Sequence, residues 1–390
     1  MKNILMPDVM KVEHNVRVLQ EAQSLQRAGY KVNIVGFSNK TKKRKLMISG
    51  INVISFYLHD SRTGAGKLYR YWSGLMMILG INLYVLTHKA NIYHAHNFHV
   101  LPACWLASKL YGGKLIYDTH ETWTIHRNKK YHLEHIFAYI IEKVFIHGID
   151  AFITVNEMIV DYFKSFYKLN KPFITIYNTR DIVPINSKNL IRSILPIKDD
   201  EKIVFFVGGF WPNGRGIFEL IDASKYLHHT CKIVLMGYGS SDMLRKMKQR
   251  IEENDASEKV FILPPQPPEK VMDFVMSADI GVNLIKRESK AQDFQSPWKL
   301  FEYCMGGLAV VSTDLPFHRE VYTRYDIGAI CATDNNPEDI ADKVNKLVVS
   351  PNYSAYKKAA RTAAEEEYNW SNQEKKLLGL YQTFNNTVHS

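Results

Sequence analysis

The stretch Ser296-Pro297-Trp298-Lys299-Leu300-Phe301-Glu302-Tyr303-Cys304-Met305-Gly306-Gly307, running on into Leu308-Ala309-Val310-Val311-Ser312, predicts a short helix delivered into a buried strand. Ser296 reads as the cap, Pro297 as the first helical residue and the Gly pair as the stop. Lys299 then falls in the first turn, where unpaired N–H groups already carry partial positive charge and a further cation costs about 0.3 kcal/mol or more. An anion placed there reverses that sign. A helix N-terminus with one Lys is a phosphate site, and Glu302, one turn along the same face, is placed to accept hydrogen bonds from hydroxyls beside the phosphate. Phosphate next to hydroxyls suggests a nucleotide sugar. The alternative is a surface ion pair between Lys299 and Glu302, worth roughly 0.2–0.5 kcal/mol.

Around this helix the C-terminal half alternates strands with helical stretches. Strands are predicted at Lys202–Val207, Lys232–Met236, Lys259–Leu263, Ile280–Leu284, Leu308–Ser312 and Ile327–Cys331. The first ends in Gly208-Gly209-Phe210-Trp211-Pro212-Asn213-Gly214-Arg215-Gly216, and the second in Gly237-Tyr238-Gly239-Ser240. Gly-rich turns from strand to helix leave backbone N–H groups free for phosphate, a weak sign singly and a stronger one beside Lys299.

The N-terminal half repeats the alternation, with strands at Asn3–Met6, Lys31–Phe37, Ile51–Tyr57, Asn91–His96, Lys114–Asp118, Ala151–Val155 and Phe173–Tyr177. This pattern indicates parallel, doubly wound sheets with ligands outside the carboxyl ends of the strands. At those ends stand Pro7-Asp8, His94-Ala95-His96-Asn97 and Asp118-Thr119-His120-Glu121. His94, His96 and His99 are set aside as a metal set because no carboxylate ligand is evident near them in sequence. Gly64-Ala65-Gly66-Lys67-Leu68 imitates a phosphate loop and fails, since Ser61 stands where the first Gly belongs and Leu68 replaces the magnesium-binding hydroxyl. Tyr71 to Thr87 is mostly apolar and flanked by Arg70, His88 and Lys89. It is short for a membrane span and reads either as a buried helix or as one lying in a membrane interface.

At 390 residues the chain is too long for one core. We expect an N-terminal domain over 1–185, a linker over 186–201, a second domain over 202–367 and a closing helix over 368–390. With 46% hydrophobic and 23% charged residues it is globular. Its four scattered cysteines read as buried thiols, and its opening residues carry no secretory signal, so a cytoplasmic protein is expected. A net charge of +11 implies an acidic partner, and no nucleic-acid motif accompanies it.

With these residues in place, the chain resembles the family 4 glycosyltransferases of the GT-B fold over nearly its whole length. The most specific parts are Pro297 to Tyr303 with the Gly and Val-Val-Ser-Thr-Asp that follow, and Tyr117-Asp118-Thr119-His120-Glu121. A subgroup is also similar at His94 to Asn97, at Asn15-Val16-Arg17-Val18 with Glu21 to Leu25 and Ala28-Gly29-Tyr30, and at Arg215-Gly216. Tyr368-Asn369-Trp370 matches the segment that crosses back to the first domain.

The resemblance implies two doubly wound, Rossmann-like domains of α/β class facing across a cleft. A nucleotide-sugar donor of UDP or GDP type would be held mainly by the second domain, and a glycan or lipid-linked acceptor mainly by the first. It implies catalytic roles for His120, Arg215 and Lys299, and donor contacts from Gly208, Gly209, Gly237, Gly239, Pro264, Ser296, Lys299, Leu300 and Glu302. Acceptor-side candidates are His96, Asn97, Glu121 and Asn15. No cofactor or metal is expected, and an anionic membrane surface is an expected partner. The sequence departs from the family pattern at Phe294, where a second acid is usual and Asp293 lies out of register. It departs again at Gly209, where an Arg is common. The leading reading is a metal-independent, retaining hexosyltransferase in cell-surface polysaccharide synthesis. A sugar-nucleotide epimerase of the same fold and a catalytically inactive nucleotide-sugar-binding partner are the alternatives.

Overall fold

The computed structural model describes residues 1–12, 15–38, 44–57, 67–125, 132–186, 189–212 and 214–386. Ser61, Gly64 to Gly66, Arg127 to Lys130 and Asn213 lie outside them. The chain forms two compact units, Met1–Tyr177 with Gln373–Ser390, and Asn178–Asn372.

The first unit runs β1 (Asn3–Lys11), α1 (Val16–Arg27), β2 (Lys31–Ser38), β3 (Lys45–Ile48), β4 (Ile51–Tyr57), α2 (Lys67–Thr87), β5 (Ile92–His96), α3 (Leu101–Tyr111), β6 (Lys114–Thr119), α4 (His132–Phe145), β7 (Ala151–Thr154), α5 (Glu157–Phe166) and β8 (Phe173–Thr175). Its sheet is ordered β3-β4-β2-β1-β5-β6-β7-β8 and is parallel except at β3, which pairs antiparallel with β4. The strand order reverses between β1 and β5. The carboxyl ends of these two strands therefore diverge, which opens a ligand crevice there.

The second unit runs α6 (Leu190–Ile194), β9 (Lys202–Gly209), α7 (Ile217–Ala223), β10 (Cys231–Tyr238), α8 (Ser241–Glu253), β11 (Val260–Leu263), α9 (Val271–Val275), β12 (Ile280–Asn283), α10 (Trp298–Met305), β13 (Ala309–Thr313), α11 (Pro316–Arg324), β14 (Gly328–Cys331), α12 (Pro337–Val349) and α13 (Tyr353–Glu366). Its sheet order is β11-β10-β9-β12-β13-β14, all parallel, and it reverses between β9 and β12. Ile203 to Phe206 on β9 are fully buried, the continuous apolar run expected of a strand covered on both faces. The last helix, α14 (Trp370–Asn386), returns to the first unit. There Tyr381 Oη meets His94 Nδ1 at 2.8 Å and Asn385 Nδ2 donates to Tyr30 Oη at 2.8 Å.

Every strand expected from the sequence is present. β3 was not expected, because it is a four-residue edge strand whose residues alternate between exposed and half-buried rather than forming an apolar run. The stretch read as either a buried or an interfacial helix is α2, which packs one face on the core and leaves the other open. Ile81 and Val85 are enclosed, whereas Trp72, Leu79 and Leu83 face solvent. Among the described residues no helix is long and apolar enough to cross a membrane. All four cysteines are buried free thiols.

Candidate functional site

In the second unit the site grows from α10. Tyr303 sends its buried hydroxyl between the diverging strands of the switch point, accepting from the Val207 N–H at 3.1 Å and donating to the Val282 carbonyl at 3.2 Å. Gly281 makes room for its ring, since a Cβ there would stand 2.3 Å from it. This anchor sets the start of α10 at the carboxyl end of β9. The helix closes as expected, with the Leu308 N–H reaching the Tyr303 carbonyl at 3.0 Å and the Gly307 N–H reaching that of Cys304 at 2.9 Å across a left-handed Gly307.

The opening differs from the expectation. Pro297, not Ser296, is the N-cap, and no side chain caps the helix. Ser296 instead holds its backbone carbonyl to Asn178 Nδ2 at 3.0 Å, and its hydroxyl is buried without a hydrogen-bond partner among the described residues. A cap that cannot use its side chain leaves first-turn N–H groups open.

Lys299 is buried in that first turn. Its ammonium lies 4.0 Å from the centre of the Phe206 ring and has no hydrogen-bond partner among the described residues. Burial, with Arg215 adding its charge and Glu302 opposing, holds it well below the ordinary lysine range. The surface ion pair offered as an alternative is therefore not what forms. Glu302 is itself buried, and its Oε1 accepts from Arg180 Nε at 2.6 Å. Arg180 also donates to the Pro268 carbonyl at 3.2 Å.

The glycines near Lys299 are demanded by backbone conformation at Gly208 and by close approach at Gly237. Gly208 has φ +143°, and a Cβ on it would stand 3.9 Å from the Lys299 ammonium. A Cβ on its neighbour Gly237 would fall 1.7 Å from the Gly208 carbonyl oxygen, so only glycine lets β10 run this close to the end of β9. Gly209 is packed by Trp211, and Gly239 by Phe210. Leu300 is fully buried and serves the core. Pro264 follows β11, two strands from β9. Asp293, the acid beside Phe294, is engaged by Arg287 at 2.8 and 2.6 Å.

In the first unit the candidates gather at the carboxyl ends of β1, β5 and β6. Asn15 caps α1 through the Val18 N–H at 3.3 Å and donates to Asp8, to which Asn97 Nδ2 also points at 3.4 Å. Asn97 takes a left-handed φ of +67° and donates its N–H to the Asp118 carbonyl at 2.9 Å. Burial pushes the Asp8 carboxyl up to about 6, against the pull of His120. His120 Nε2 lies 3.4 Å from Asp118 Oδ1. Burial works against an ionised Asp118, but Arg17 and then His120 hold it well below the usual carboxylate range. His96 is fully enclosed and stacked on His94 at 4.3 Å, whereas Glu121 is exposed.

The sequence reading missed Arg180 and the alignment of Arg17 and Glu21 with Asp118. Arg17 and Glu21 had a usable signal, since two opposite charges four apart in an otherwise apolar-faced helix are costly to bury unless partnered. Arg180 had none, because its partner Glu302 is far along the chain.

The model of the family described as "Glycosyl transferases group 1" matches residues 187–366, and that of "Glycosyltransferase Family 4" matches residues 14–183. No curated protein matches the chain. Among solved structures, sucrose-phosphate synthase from Thermosynechococcus elongatus is similar with a TM-score of 0.81 at 14% identity, over 99% of this chain and 100% of that one. HepE from Anabaena in complex with UDP is similar with a TM-score of 0.74 at 14% identity, over 98% and 100%. WaaG, described as a glycosyltransferase involved in lipopolysaccharide biosynthesis, is similar with a TM-score of 0.68 at 14% identity, over 96% and 98%.

A buried ammonium without a hydrogen-bonded partner destabilises the fold that holds it. Lys299→Met, which keeps the bulk and removes the charge, is expected to raise the unfolding free energy measured in urea by about 1 kcal/mol or more. The same change should weaken pyrophosphate binding at least tenfold. A loss of stability would show that the ammonium is stabilised in the free protein.

Proposed function

Because the chain belongs to the family 4, group 1 glycosyltransferases of the GT-B fold, we propose that it moves a hexose from a UDP- or GDP-type donor to a glycan or lipid-linked acceptor with retention of configuration. The observation that carries this reading is the unpaired Lys299 ammonium at an uncapped helix start, beside Gly208 at the switch point of the second sheet. That arrangement suits the diphosphate of a donor. The bond between the sugar's anomeric carbon and the diphosphate oxygen breaks, a bond to the acceptor hydroxyl oxygen forms, and the hydroxyl proton passes to the departing diphosphate. Charge grows on the leaving group, and Lys299, Arg215 and the helix N-terminus are the groups that meet it. We assign this neutralisation to protein cations, without a divalent ion at the donor.

Glu302 accepts from the donor's ribose hydroxyls in this reading, and Arg180 holds the carboxylate in place meanwhile. His120, with Asp118 behind it, hydrogen-bonds the transferred sugar. The acceptor meets Asn97, Asn15 and Glu121 at the strand ends of the first unit. HepE was solved with UDP and glucose, which makes UDP-glucose the first donor to try.

Incubation with a panel of UDP- and GDP-hexoses and a lipid-linked acceptor tests the reading, with the product's anomeric configuration read by NMR. Arg215→Ala is expected to lower turnover about 10²-fold while nucleotide binding changes far less. An inverted product, or full turnover in folded Arg215→Ala, contradicts it. Conversion of the donor sugar without acceptor would identify an epimerase, and nucleotide binding with neither transfer nor hydrolysis an inactive partner.

We place the work of the enzyme at an anionic membrane surface of the cytoplasm. In the first unit α3 packs against both α2 and α4. These helices expose Trp72, Leu79, Leu83, Leu110, Phe137, Ile140 and Val144, each at least half accessible. Large apolar side chains gathered on neighbouring helices mark an interaction surface rather than a solvated one. α3 carries Lys109, and α4 carries Lys143 with Glu134 and the buried Glu142. Each basic residue near an anionic surface contributes about 1 kcal/mol. Co-sedimentation with vesicles rich in anionic lipid is expected at low salt, to fall as salt rises and to fall again in Phe137→Glu. No binding at low salt contradicts the placement.

A further inference from the structure

The interior of the first unit holds a group of side chains of which the proposed transfer uses only Asp118, behind His120. Glu21 of α1, His94 and His96 of β5 and Asp118 of β6 are all fully buried, and one ligand atom from each lies within 4.8 Å of the others. Glu21 Oε2 stands 3.9 Å from His94 Nε2 and 3.8 Å from His96 Nε2. Asp118 Oδ2 stands 3.6 Å from His94 Nε2 and 3.7 Å from His96 Nδ1. These spacings are too long for hydrogen bonds, whose heavy-atom distances end near about 3.2 Å. They are close to those of atoms sharing one ion. Bonds of about 2.0–2.2 Å to a tetrahedral zinc put neighbouring donor atoms about 3.3–3.6 Å apart. His96 can offer Nε2 or Nδ1 to one ion but not both, and drawing the widest pair of the set, now within 4.8 Å, to that spacing takes about an ångström.

The atoms that face inward are unsatisfied. Glu21 Oε2, His94 Nε2 and both ring nitrogens of His96 have no hydrogen-bond partner among the described residues. The atoms that face outward are engaged. Tyr381 Oη meets His94 Nδ1 at 2.8 Å, and Arg17 Nε pairs with Glu21 Oε1 at 3.0 Å. Arg17 Nη2 reaches both Asp118 oxygens at 3.2 Å, and His120 stands by Asp118 Oδ1. A metal-binding imidazole is held in this way, as His94 is through Nδ1, whereas Asp118 Oδ2 already accepts from Arg17 and would be shared with an ion.

We infer that Glu21, His94, His96 and Asp118 form a structural site for one first-row divalent cation, with Zn²⁺ the best match to two imidazoles and two carboxylates. The ion ties α1 to the carboxyl ends of β5 and β6, and through Asp118 it fixes the carboxylate that His120 approaches. This site is separate from the donor's diphosphate and stands whether or not the proposed transfer does.

The test uses the untagged full-length protein. Its metal content is measured by mass spectrometry, and the demetallated protein is titrated with Zn²⁺ by calorimetry and with Co²⁺ by visible absorption. One ion per chain is expected, with the intense visible bands of tetrahedral Co²⁺ and a Tm that rises with Zn²⁺. Glu21→Gln and His96→Gln, each checked for folding by circular dichroism, should bind the ion at least tenfold more weakly. Should neither variant fold, the Co²⁺ spectrum of the wild type decides, and weak octahedral bands overturn the site. A wild type that neither retains nor binds an ion overturns it too, leaving protons to balance the pocket. Binding unchanged in both folded variants places the ion on surface histidines and has the same consequence.

Discussion

A lysine ammonium buried at the start of a helix, with Glu302 nearby but no hydrogen-bond partner among the described residues, is the constraint on which the second unit turns. Lys299 sits where the helix's own N–H groups are positive, over an aromatic ring and near a second cation. Each of these but the ring opposes its charge. A fold keeps such a residue at a cost in stability, and in the proposed function the cost is recovered when a diphosphate binds. Both the site and the lowered basicity of the lysine follow from one feature, burial without a partner.

The architecture delivers that lysine by a topological route. In each sheet the strand order reverses beside the first strand, between β1 and β5 and between β9 and β12. In the second unit Tyr303 fills the gap where β9 and β12 part, and its two hydrogen bonds fix α10 to both strands. In the first unit the same opening is lined by Asp8, Asn15 and Asn97, with the charged interior of Arg17, Glu21, His94, His96 and Asp118 beside it. One crevice presents cations and open amides. The other presents carboxylates, amides and imidazoles.

The strands and the helix of the donor site were legible because their cause is local. A strand buried on both faces must be a continuous apolar run, as Ile203 to Phe206 are, and a glycine pair after a helix must permit a left-handed turn, as Gly307 does. What the sequence did not disclose is set by distant partners. Glu302 is held by Arg180, the carboxylates around His94 and His96 come from another helix and another strand, and the edge strand β3 has no apolar run to betray it. The Ser296 cap was misplaced for a similar reason. Its carbonyl is claimed by Asn178, and the helix starts one residue later than its composition suggests.

The central claim is that Lys299 waits in the free protein with a weakened hold on its proton and recovers it when phosphate binds. A phosphate beside the ammonium favours the protonated form, so binding raises the lysine's pKa and draws a proton from solution. Calorimetry of UDP binding across a range of pH, in buffers of different ionisation enthalpy, reads that proton directly. The account predicts net proton uptake, an affinity that falls as pH rises, and loss of both effects in Lys299→Met. Heats of binding that are the same in every buffer, with wild-type UDP affinity independent of pH, would contradict it.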